Sequence, residues 1–121
     1  MIQLHDKTYT CPVDVTLALV GGKWKILILS HLHQFSRKSF SEIRNNLPGV
    51  SEKMLMQQLK ELQRDNLINK DILSQKPYRV EYFLTEHGKT LAPLFDFLSK
   101  WGIDYLKQHN IDYLKDQALY K

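Results

Sequence analysis

The sequence predicts a mainly α fold carrying one small β-hairpin, an α+β arrangement in a single chain of 121 residues. Three observations predict it. Apolar residues recur at helical spacing along several stretches, a Pro-Gly turn separates two of those stretches by only a few residues, and two short strand-like runs follow at once. A content of 43% hydrophobic and 25% charged residues is that of an ordinary globular domain with a real core, and residues 1–121 are taken as one domain.

Pro12 is suited to the first turn of a helix, with Cys11 or Thr10 as cap, and Gly21-Gly22 ends that helix after Val20. Trp24 to Leu32 is apolar on nearly every side, which predicts a central helix packed all round. Ser39-Phe40-Ser41-Glu42 fits a capping box and opens a helix carrying Phe40, Ile43 and Leu47. Pro48-Gly49 stops it, and Ser51 caps the next. There Leu55, Leu59 and Leu62 line one stripe, while Lys53, Gln57, Lys60 and Arg64 line the opposite one. A short turn between two helices, the second with a basic outer face, is a helix-turn-helix arrangement.

Leu67 to Leu73 and Tyr78 to Leu84 read as strands, the second alternating Arg79 and Glu81 against Val80, Tyr82 and Leu84. Ser74-Gln75-Lys76-Pro77 joins them, giving a hairpin with Lys76 and Arg79 at its tip. A hairpin placed directly behind such a helix is a wing, so the predicted fold is a winged helix-turn-helix. Thr85 is expected to cap one long helix from Glu86 onward. Its stripe of Leu91, Leu94, Phe95, Leu98, Trp101 and Tyr105 is too apolar to be solvated. It is expected to pack against a second copy, joined by the first helix and by Ile111, Tyr113 and Leu114; folding back onto its own core is the alternative. The expected layout is a DNA-binding core at about 23–84, with N- and C-terminal dimerisation helices at about 12–20 and 86–120 making the homodimer.

The formal charge is +4, and its distribution matters more than its size. Residues 34–79 hold nine Lys/Arg against five Asp/Glu, so the whole net excess lies in the middle of the chain. A row of lysine, glutamine, lysine and arginine suits the major groove of double-stranded DNA, with cations for phosphates and an amide for base edges. A solvated helix face is the plainer reading of the same row, as a hairpin edging the core is of the wing. No apolar run approaches the roughly 18 residues of a membrane span, and Met1 to Lys7 lack the pattern of a signal peptide. A cytoplasmic protein with no membrane association is expected.

Enzymatic chemistry finds little support. No histidine or carboxylate has a neighbour that makes a nucleophile and base, and Gly21-Gly22 lacks the rest of a phosphate loop. His31 and His33 point to different helix faces, and a single cysteine is too few for a cysteine-rich zinc site. No catalytic residue, metal site or cofactor is expected.

Taken in order, Cys11-Pro12-Val13, Gly21-Gly22-Lys23-Trp24, Phe40-Ser41-Glu42-Ile43, Leu47 to Ser51 with Met54, Leu55, Gln58, Leu59 and Leu62, Arg79 to Tyr82, and Leu84-Thr85 with Gly88 resemble the HxlR family of bacterial transcriptional regulators, relatives of the MarR group. The resemblance runs from Cys11 to about Gly102. It implies a winged helix-turn-helix homodimer bound to inverted repeats near promoters, repressing or activating transcription. Carried over, Ser51, Lys53, Gln57 and Lys60 would face the groove, and Lys76 and Arg79 would serve the wing. It also implies a sensing role for Cys11, since several such proteins answer oxidants, quinones or aldehydes through a cysteine at this place. A thiol at a helix N-terminus has its pKa lowered by the macrodipole, which agrees. The alternatives are a structural Cys11 and a switch operated by a small aromatic ligand at the dimer interface, among Trp24, Trp101 and Tyr105.

Overall fold

A computed structural model of the chain describes residues 1–116 and divides into two compact units, Met1–Lys89 and the residues from Thr90 on. The first unit opens with β1 (Ile2–Leu4) and β2 (Lys7–Tyr9), an antiparallel hairpin with Ile2 opposite Tyr9. Sequence reading assigned no structure here, because three-residue strands are too short to display an alternation. Helix α1 (Pro12–Val20) begins at Pro12 behind an extended Cys11, as expected. The Asp14 carboxylate accepts from the Thr10 backbone N–H at 2.9 Å, satisfying a donor just before the helix. A Cβ on Gly21 would strike the Leu17 carbonyl, so the helix end is sterically reserved for glycine.

Helix α2 (Lys23–Phe35) is the centre of the first unit, with Ile28, Leu29 and Leu32 buried. The chain reverses at Ser36, whose φ of 68° lies in the left-handed region, into the short β3 (Arg37–Ser39). The expected capping box closes in full: the Ser39 hydroxyl oxygen accepts from the Glu42 N–H at 3.2 Å, and the Glu42 carboxylate accepts from the Ser39 N–H at 3.0 Å. It starts α3 (Phe40–Asn45). Gly49, at φ 93°, makes the turn to α4 (Glu52–Arg64), whose N-cap Ser51 accepts from the Met54 N–H at 3.0 Å. Leu55, Leu59 and Leu62 are 0% exposed, so the predicted apolar stripe is the core-facing one.

β4 (Ile68–Gln75) and β5 (Tyr78–Leu84) form the wing, and β3 adds a third strand in the order β3-β5-β4. Sequence reading had no signal for β3. A bulge falls between Ile72 and Ser74, and the Lys76–Pro77 peptide at the tip is cis. Val80, Tyr82 and Leu84 are buried on the inner face. On the outer face, Asp71 and Glu81 stand directly opposite each other across β4 and β5, a like-charge pair that is unfavourable alone. Arg37 of β3 bridges them, with its Nη1 2.7 Å from Asp71 and 3.8 Å from Glu81, and its guanidinium lies over the Phe83 ring.

The expected continuous helix from Glu86 is a correction. The chain forms a four-residue α5 (Glu86–Lys89), then a break, then α6 (Ala92–Gln108). Pro93 is the cause: it lacks an N–H, and in a continuous helix its ring would collide with the carbonyl of Lys89 four residues back. In the first turn of a new helix neither defect matters. Thr85 still caps α5, its hydroxyl accepting from the Gly88 N–H at 2.9 Å and donating to the Asn66 carbonyl at 2.7 Å.

In the second unit α6 carries Trp101 and Tyr105 stacked at 5.4 Å, with His109 tilted against Tyr105 at 4.7 Å. The helical tail is interrupted at Asn110 (φ 63°) before α7 (Tyr113–Asp116). The remainder of the tail, and with it the end of the 86–120 dimerisation segment, lies outside the described residues. No helix among the described residues is long and apolar enough to cross a membrane.

Two predictions follow from this packing. A Cβ on Gly88 would collide with the Leu67 carbonyl and meet Leu84, so Gly88→Ala is expected to destabilise the fold by about 1–3 kcal/mol, read from the urea midpoint. The buried Nδ1 of His31 has no hydrogen-bond partner, and burial first, then the charge of Lys38, holds its pKa below 6.5. The neutral form is thus favoured by folding, and the stability it contributes is present above pH 6.5 and lost as pH falls below it. Wild type should therefore lose more thermal stability than His31→Gln on acidification below 6.5. Glu42, its pKa lowered chiefly by the Ser39 N–H, acts in a separate window below 4.5.

Candidate nucleic-acid interface

The outward face of α4 follows from its inward one. With Leu55, Leu59 and Leu62 seated in the core, Lys53, Gln57 and Lys60 all point to solvent. The helix is further fixed by an ion pair between Lys25 of α2 and Glu61, at 3.2 Å and with side chains only 12% and 26% exposed. Ser51 has a double role: its oxygen is committed to the N-cap, which leaves the O–H for donation.

Arg64 is not brought together with this set. It sits at the far end of α4, paired to Asp65 at 3.3 Å, and lines a hollow of about 340 Å³ with Leu4, Lys7 and Tyr9 of the N-terminal hairpin and Leu19 of α1. Adjacency to Asp65, visible in the sequence, is the signal that part of this arginine's charge is offset, although its side chain is 65% exposed. On the wing, Lys76 is exposed at the tip, whereas Arg79 is held to Glu81 at 3.4 Å. Glu81 therefore faces two arginines, Arg79 along its own strand and Arg37 across the sheet.

Between α4 and the wing lies a cleft of about 550 Å³ lined by Arg79, expected from the sequence, and by residues not expected at the site, among them Phe40, Ser41, Glu52, Met56, Lys70 and Tyr78. Only the β4–β5 register identifies Lys70, because it stands opposite the buried Tyr82 and so on the inner face of the sheet.

Cys11 is exposed at the N-cap of α1. Its sulfur makes no cap hydrogen bond, yet its pKa is lowered, first by the Asp14 N–H dipole, then by the Thr10 hydroxyl, which donates to Sγ at 3.8 Å, with the Val13 N–H adding a smaller pull. A slight loss of hydration beside the helix end and the Asp14 carboxylate oppose this. Of the residues expected at a dimer interface, Leu98, Trp101 and Tyr105 are 46%, 58% and 47% exposed, Leu91 and Leu94 are half-buried, and Phe95 is buried within the chain. Neither the hollow nor the cleft includes Trp24, Trp101 or Tyr105. No cluster of metal-ligating side chains occurs among the described residues.

The HxlR-like helix-turn-helix family model matches residues 19–110. The uncharacterised HTH-type transcriptional regulator YtcD of Bacillus subtilis (strain 168) is 41% identical over 102 residues, covering 84% of this chain and 80% of YtcD. The redox regulator HypR in its oxidised form superposes with a TM-score of 0.70 at 40% identity, over 76% of this chain and 94% of HypR. A MarR-family regulator from Porphyromonas gingivalis W83 superposes with a TM-score of 0.72 at 35% identity, over 80% of this chain and 94% of that one. The two helices α3 and α4 are thus a DNA-binding helix-turn-helix, β4 and β5 its wing, and the chain belongs to the HxlR-like family of transcriptional regulators.

Proposed function

We propose that the chain is a homodimeric repressor that reads an inverted repeat in promoter DNA and is released by oxidation or electrophile modification of Cys11. The observation that carries the DNA reading is the division of α4, whose three core leucines are 0% exposed while Lys53, Gln57 and Lys60 stand together on the solvent side. Lys53 and Lys60 supply cations to phosphates, and the Gln57 amide pairs with a base edge, bidentately with adenine. Ser51 hydrogen-bonds at the groove edge, and Lys76 with Arg79 brings the wing to the adjoining minor groove. Arg64 contributes its charge from the far end of the helix.

Dimerisation rests on the exposed apolar side chains of α6, where Phe97 and Trp101 are 65% and 58% exposed, and on Val13 and Leu17 of α1 at 65% and 60%. Two copies related by a two-fold axis would set their α4 helices about 34 Å apart, one turn of DNA. Binding in the cytoplasm, without catalysis or cofactor, is the whole activity.

The exposure of Cys11 and its lowered pKa support the switch, as does the likeness to a redox regulator. A peroxide takes two electrons from the thiolate to give a sulfenic acid, which condenses with a second thiol and loses water. That second thiol belongs either to Cys11 of the other subunit or to a small thiol, because the chain has one cysteine. A quinone or aldehyde instead adds directly to the sulfur.

Anisotropy on a labelled duplex from upstream of the protein's own gene, against a scrambled duplex, tests the reading, and sedimentation tests the dimer. Lys60→Ala is expected to weaken both duplexes and to flatten the slope of log K against log salt by about 0.9 per protomer. Gln57→Ala should instead erase preference at one base pair, by roughly 1–3 kcal/mol. Equal losses for both variants on both duplexes would remove that division of labour. Cys11→Ser should bind DNA as wild type does but ignore oxidant and quinone. Alkylation of Cys11 should reach half its limiting rate below pH 9.0, the usual thiol value.

A further inference from the structure

The cleft between α4 and the wing shares Arg79 with the wing, but the roles assigned above leave the rest of its lining unused. Phe40, Met56 and Tyr78 form apolar walls, with Met56 38% and Tyr78 60% exposed. Lys70 opens into it from the inner face of the sheet, beside the buried Tyr82 and Val80. A cation among apolar walls at the edge of a core suits an anion that carries an apolar body. Ser41, exposed at the start of α3, adds a hydroxyl to the same cleft.

The position of the cleft identifies that anion. Adjacent major and minor grooves of a duplex are separated by one sugar–phosphate strand. If α4 enters the major groove and the wing the neighbouring minor groove, the strand between the grooves has to cross the gap between α4 and the wing. We propose that the cleft of about 550 Å³ seats this strand, with deoxyribose against Met56 and Tyr78 and a phosphate oxygen on Lys70 Nζ. The proposal rests on the DNA-binding reading above and adds a strand-positioning subsite to it.

One group in the cleft opposes a phosphate. Glu52 is 70% exposed at its side chain, and Arg44 Nη1 lies 3.7 Å from its carboxylate, which offsets part of its charge. Glu52 thereby limits how strongly any duplex is held, whatever its sequence, and leaves discrimination to the base contacts. The strand seat is accordingly a determinant of register and salt response, not of base preference.

The test uses a duplex enriched by the wild-type protein from a random-sequence pool, together with a scrambled duplex. Lys70→Ala, checked for an unchanged melting temperature, should weaken both duplexes by a similar factor and lower the salt slope by about 0.9 per protomer bound. Glu52→Gln should tighten both. In duplexes carrying single neutral methylphosphonate linkages, one linkage per half-site should cost the wild type affinity and cost Lys70→Ala none. An unchanged salt slope for Lys70→Ala, or linkages that penalise wild type and variant alike, overturns the strand seat and leaves the DNA-binding reading intact. A wild-type protein that enriches no duplex and ignores salt overturns both.

Discussion

Everything outward in this molecule depends on the apolar seam that fixes the rotation of α4. Leu55, Leu59 and Leu62 are fully buried, as are Ile28 and Leu29 of α2, and each such side chain contributes about 1.5–3 kcal/mol relative to exposure. A one-residue slip would turn the helix by about 100°, strip that burial and carry Lys53, Gln57 and Lys60 off their common face. The Lys25–Glu61 pair adds direction, because it is half-buried and can form only in the native rotation. Presentation of the basic row is therefore a by-product of core packing.

The three-stranded sheet divides its chemistry between two faces. Outside, Asp71 and Glu81 oppose each other and are neutralised by Arg37 from β3 and Arg79 from the wing itself. These pairs are exposed and individually weak, yet they tie a three-residue edge strand to the hairpin and keep acidic charge next to basic charge. Inside, buried Val80, Tyr82 and Leu84 hold the wing to the core until Lys70 breaks the apolar run at the cleft. The junction behind the wing is equally specific. Thr85 donates to the Asn66 carbonyl while Gly88 lets α5 close onto the Leu67 carbonyl, which accounts for the threonine and glycine of the Leu84-Thr85 and Gly88 motif.

What was legible in the sequence was local. Pro12, the Ser39–Glu42 capping box, Ser51 and the Val80/Tyr82/Leu84 alternation act through hydrogen bonds or side-chain periods within a few residues. The β1–β2 hairpin and β3 escaped because three residues carry no readable period, and β3 is a strand only by virtue of β5 beside it. The α5–α6 break was readable in Pro93, since the clash with a carbonyl four residues back is itself a local effect. In the site, the helical period selects Lys53, Gln57 and Lys60 but also Arg64, whose company is the N-terminal hairpin.

By itself, then, the sequence determined the helix starts and stops, the core-facing stripe of α4, the alternation of β5 and the family, because each is written in residues close together or in an ordered set of motifs. Only the tertiary structure decided that Arg37 clamps an acidic cross-strand pair and that Arg64 turns toward the N-terminal hairpin. It also brought Lys70, Met56 and Tyr78 together in one cleft. Those relations depend on strand register and on the packing of elements distant in sequence, and neither quantity is encoded in the spacing of any single segment.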